Sequence, residues 1–113
     1  MTVSRLNTLE SDVLDVIPSG SEHKIIIKDI SRLIGADERN IYEAINGLRK
    51  KGVPVCAKRN GEDRGYFIAE TEKERSEGLT GYRAQVKEMT LLIHQIETAD
   101  LESWRASLSS PVK

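Results

Sequence analysis

The chain has 113 residues, 31% of them charged and 38% hydrophobic, with a formal net charge of −1, which bounds it to one modest globular core with at most one appended element. No window approaches 18 consecutive apolar residues, and the opening MTVSRLNTLESDVLDVI lacks the apolar centre of a secretory signal, so neither a membrane span nor export is expected. One cysteine, Cys56, leaves no internal disulfide, and CxxC or His-rich metal spacings are missing, so a cytoplasmic protein without metal or cofactor is expected.

Leu6, Leu9, Val13, Leu14, Val16 and Ile17 recur at intervals close to three and four, predicting an amphipathic helix from about Ser4 to Ile17. Pro18, Ser19 and Gly20 end it. Lys24-Ile25-Ile26-Ile27 is a β-branched run, read as a short strand that pairs with a later hairpin. Ile30, Leu33 and Ile34 give the next helix its buried face, and Gly35 suits the tight turn after a helix end. Asp37 is placed to cap a following helix, on which Ile41, Ala44, Ile45 and Leu48 share one face. Gly52 stops that helix after the basic Arg49-Lys50-Lys51. Val53–Ala57 and Tyr66–Ala69 read as the strands of a hairpin whose tip, Lys58 to Gly65, is rich in turn residues.

From about Glu72 the period changes. Leu79, Tyr82, Val86, Met89, Ile93 and Ile96 form a heptad seam, with a at 79, 86 and 93 and d at 82, 89 and 96. Gly78 and Gly81 each cost about 1 kcal/mol relative to alanine inside a helix, which puts the expected start nearer Thr80 or Tyr82. The register breaks after Ala99-Asp100. Leu101, Trp104 and Leu108 then make a short amphipathic segment, and Ser109 to Lys113 reads as a frayed tail.

The expected fold is mainly α with a small β-hairpin: a winged helix-turn-helix over 1–70, followed over 71–113 by an added C-terminal amphipathic helix and a short terminal segment. The seam predicts a homodimer, although packing back on the first helix is the alternative. Few charges stand at its e and g positions, so parallel and antiparallel pairing both stay open. The charge distribution agrees with a nucleic-acid partner. Residues 23–68 hold ten Lys and Arg against six Asp and Glu, while the segments on either side are net acidic.

The run from Ile30 to Ile68 resembles the winged helix-turn-helix domain at the N-terminus of biotin-operon repressors and related bacterial and phage regulators. The likeness rests on an apolar helix followed by Gly35, then Ile41, Ile45 and Leu48. Next comes LRKKGVPV (Leu48 to Val55), similar to the family's Leu-Arg-x-x-Gly-Val-x-Val. Last is Gly65-Tyr66, similar to the Gly-Tyr that begins the second wing strand. Counting Lys24–Ile27, the resemblance spans residues 24–68. Asp37 and Glu38 depart from it, standing where family members usually carry Ser, Thr or Arg.

The resemblance implies a recognition helix over about 37–51, entering the major groove of double-stranded DNA, and a wing at 58–65. On the outward face of that helix stand Arg39, placed for guanine, Asn46, placed for adenine, and Tyr42 and Arg49. Lys58, Arg59 and Arg64 in the wing, with Lys28 and Arg32 on the preceding helix, are the expected phosphate contacts. A dimeric, sequence-specific transcription regulator is the expected function. The alternatives are an accessory DNA binder in replication or recombination and a protein-interaction adaptor; Asp37, Glu38 and Glu43 favour the adaptor. No Ser/His/Asp, Cys/His, paired-carboxylate or phosphate-loop pattern occurs, so no catalytic residue is expected. Cys56 reads as a small strand residue, and His23 and His94 lack partners at ligand spacing.

Overall fold

A computed structural model describes residues 5–109 of the chain. Expectations for Ser4 and for Ser110 to Lys113 therefore lie outside the described residues. The element order is α1 (Thr8–Val16), α2 (Ile27–Ile34), α3 (Glu38–Lys50), β1 (Val55–Lys58), β2 (Gly65–Ile68) and α4 (Glu72–Glu97), then a 3-10 turn at Trp104–Ser107. This is the mainly helical, one-hairpin arrangement of a winged helix-turn-helix with a further C-terminal helix.

α1 begins later than the apolar spacing predicts because a capping box sets its first turn. The Asn7 side chain accepts from Glu10 N–H at 2.7 Å, and the Glu10 carboxylate accepts from Asn7 N–H at 2.9 Å. Asp37 caps α3 as expected, accepting from Asn40 N–H at 2.8 Å. Between α2 and α3, Gly35 takes the left-handed conformation (φ +78°) while its N–H closes on the Ser31 carbonyl at 2.8 Å. A side chain there would be strained, so this glycine makes the sharp turn possible.

The hairpin pairs Val55 with Ile68 and Lys58 with Gly65 in antiparallel register. The expected strand at Lys24–Ile27 contracts to one bridge: Ile25 and Tyr66 exchange hydrogen bonds of 3.0 and 2.7 Å. Ile27 already belongs to α2, whose first turn is closed by Asp29 and Ile30 N–H groups on the Ile26 carbonyl. The β-branched run thus splits between a sheet edge and a helix, each satisfying its own backbone.

Val13, Ile17, Ile30, Ile41, Ala44, Ile45, Leu48 and Val55 form the core. Ile30, Ile41, Ile45, Leu48 and Val13 are its largest fully buried side chains. At about 25 cal/mol per Å² of apolar area, such residues supply roughly 1.5–3 kcal/mol each and hold α1, α2 and α3 together. Leu33 corrects the expected buried face of α2, being 66% exposed.

α4 starts at Glu72 and runs through both glycines, earlier than Thr80. Thr71 caps it, accepting from Glu74 N–H at 3.1 Å. The Glu74 carboxylate accepts from Glu70 N–H at 2.8 Å and from Ser21 N–H, in the loop after α1, at 2.5 Å. These bonds hold its pKa below the ordinary carboxyl value, the Glu70 N–H contributing most. Gly78 is buried against β1, where an added Cβ would lie 2.5 Å from Cys56 Cβ and Sγ. The chain divides after Gly81 into two compact units, so the first turns of α4 belong with the winged helix. Among the described residues, no helix is long and apolar enough to cross a membrane.

Candidate nucleic-acid interface

The inner face of α3 fixes the direction of its outer face. Ile41, Ala44, Ile45 and Leu48 are buried, so Arg39, Tyr42, Glu43, Asn46 and Lys50 stand on the opposite side and are exposed. Tyr42 is 47% exposed. Arg39, Tyr42 and Asn46 follow one another at i, i+3 and i+7, the spacing of a single stripe. All three are exposed, as an outward face of α3 requires.

Arg49 departs from the expected set. It is half-buried, and its Nε donates to the Val55 carbonyl at 2.9 Å. Its position flanks the buried face, so the guanidinium turns toward the start of β1 and joins helix to wing rather than facing outward. Asp37, one of the two acidic residues at the start of α3, has a local use, because its carboxylate accepts from the Asn40 N–H. Glu38 and Glu43 are exposed and keep acidic groups beside the stripe.

In the wing, Lys58, Arg59 and Arg64 are all exposed. Lys58 Nζ donates to both oxygens of Asp63, at 2.6 and 2.7 Å. Lys24 Nζ approaches the same carboxylate at 3.8 Å. The Lys58 hydrogen bond is the main reason that Asp63 titrates below the ordinary carboxyl range. Lys58 is therefore compensated within the hairpin. On α2, Lys28 and Arg32 are exposed, and Arg32 faces Asp29 one turn earlier at 3.7 Å.

The seam residues of α4 are exposed too: Val86 by 63%, Met89 by 56%, Ile93 by 55% and Ile96 by 74%, with Leu79 at 36%. Tyr82 is half-buried. Cys56 is buried in β1 and its thiol is pushed up by that burial. Among the described residues no three His, Cys, Asp or Glu side chains are grouped to hold a metal ion.

The sequence reading missed the Lys51–Glu10 ion pair (2.5 Å), in which a lysine from the basic end of α3 meets a nearly buried carboxylate of α1. Asn7-x-x-Glu10 is a capping-box spacing and was open to view; the lysine is 41 residues away and was not. The chain matches no family model, no curated protein and no solved structure.

Proposed function

We propose that the chain is a cytoplasmic protein that binds double-stranded DNA sequence-specifically, acting as a dimeric transcription regulator akin to the winged-helix domains of biotin-operon repressors and bacterial or phage regulators. The observation that carries this reading is the exposed Arg39–Tyr42–Asn46 stripe on α3, opposite a face packed into the core. A helix held this way has one surface to offer a major groove. On that surface sit an arginine suited to guanine and an amide suited to adenine. Lys28 and Arg32 on α2 and Arg59 and Arg64 on the wing supply phosphate contacts on either side. The seam on α4 brings two copies together, so that two α3 helices meet a pseudo-palindromic site.

Affinity for a duplex selected from a random pool, measured by fluorescence anisotropy, tests the reading. With about four phosphate contacts from each chain of the dimer, about eight in all, it falls roughly 10,000-fold between 50 and 200 mM salt. Arg39→Ala costs about 1–3 kcal/mol on the preferred duplex and little on others. A flat salt dependence would instead favour a protein-interaction adaptor, a second reading supported by the pairing of Lys58 with Asp63 and by the exposed Glu38 and Glu43 on α3.

A further inference from the structure

Between the hairpin and the first turns of α4 lies an open cavity of about 640 Å³, a size typical of small-molecule sites. All the residues around it belong to the unit that ends at Gly81. Ala57 and Phe67 line it from the hairpin, and Gly78 and Gly81 from α4. An added Cβ at Gly81 would meet nothing within 4 Å, so the space beside that position is open.

The polar groups around this apolar lining are unbalanced in sign. Lys24, its side chain 10% exposed, holds Nζ 5.5 Å from the Phe67 ring centroid. Its ammonium donates to the Ser21 carbonyl at 2.6 Å, while Asp63 at 3.8 Å is beyond hydrogen-bonding distance. An ammonium carries three donors, and an acceptor placed in the cavity is within its reach. Lys58 and Arg59 add two cations at the rim, and Asp63 and Glu77 are the carboxylates. Three cations and two carboxylates around a smooth wall of Ala57, Gly78 and Gly81 suit a flat apolar body with one anionic group.

We propose that this cavity binds a small aromatic anion, a carboxylate or a phosphomonoester, with its ring along Ala57 and Gly81 and its anionic group between Lys24 and Lys58. The ligand's oxygens replace Asp63 as the partner of Lys58, which is exposed and free to turn. The assignment does not depend on the DNA reading, because it is measured on the protein alone.

Calorimetric titration of the full chain with phenyl phosphate and with benzoate, against neutral benzyl alcohol, tests it. At least one anion is expected to bind at a single site about tenfold or more tightly than the alcohol. Preference for phenyl phosphate identifies a phosphomonoester, and preference for benzoate a carboxylate. Gly81→Leu fills the cavity from α4, and Lys58→Gln removes an exposed rim cation. Each is expected to weaken anion binding about tenfold or more while the circular dichroism stays that of the wild type. Two results would overturn the proposal: wild-type protein binding neither anion better than benzyl alcohol, or anion affinity unchanged in both folded variants.

Discussion

Glu10 is a carboxylate with 4% of its surface exposed, and it stays charged because its oxygens have donors. Asn7 N–H closes the capping box, and Lys51 Nζ, which also donates to the Arg5 carbonyl at 3.0 Å, completes the arrangement. The Lys51 hydrogen bond first, and the Asn7 N–H second, hold its pKa below the ordinary 4.5. Because the folded value is the lower one, the stabilisation is fully present above the unfolded carboxyl's pKa. It is lost as pH falls through the folded value. Glu10→Gln is therefore expected to lower the melting temperature at neutral pH and to flatten the loss of stability on acidification. Thermal melts between about pH 2 and pH 7 check both; a parallel acid limb in the variant would assign that limb to other carboxylates. Gly47 belongs to the same arrangement, since a Cβ there would run into the Glu10 carboxylate. Local spacing announces half of this cluster, and the fold supplies the rest.

The two glycines of α4 share a propensity and differ in surroundings. Alanine in place of either recovers about 1 kcal/mol of helix propensity. At Gly81 the new methyl enters open space, so Gly81→Ala is expected to stabilise by about that amount. At Gly78 the methyl meets Cys56 Cβ and Sγ at 2.5 Å, and overpacking of this kind costs typically 1–3 kcal/mol. Gly78→Ala is thus expected to destabilise despite its better propensity. Urea unfolding of the two variants gives the comparison, and equal midpoints would remove the close approach from the account. Sequence alone reads both residues as weak points and begins the helix too late, because the contact between β1 and α4 is invisible to periodicity. By contrast, Gly35, Asp37 and the stripe of Ile41, Ala44, Ile45 and Leu48 are legible, each depending only on neighbours within a few positions. Arg49 falls between these cases: it has the spacing of an outward residue, yet a carbonyl of the next strand turns it inward.

The winged helix has its own core, but the second compact unit, from Tyr82 onward, is apolar without being buried. Val86, Met89, Leu91, Leu92, Ile93 and Ile96 are each more than half exposed on α4. A single chain rarely leaves so continuous an apolar patch in water. The a and d residues share one side of α4, Leu92 at g flanks them and Leu91 at f lies on the opposite side; the proposed dimer would cover the first of these faces. Light scattering coupled to size exclusion is expected to give twice the chain mass for the wild type. Val86→Asp combined with Ile93→Asp is expected to return the mass of one chain, as two carboxylates in an apolar seam would be desolvated without partners. A wild-type protein that remains single at high concentration would leave the patch without that role.

Cys56 has a use of a different kind. Its sulfur lies beneath Gly78 and burial disfavours the thiolate, the form that alkylating reagents attack. Labelling then waits for the first turns of α4 to lift from β1. Under conditions of rapid reclosing, its rate, divided by that of an unstructured thiol, is the equilibrium constant for that opening. As the chain's single cysteine, it serves as a native clock for one local motion, readable without adding any probe.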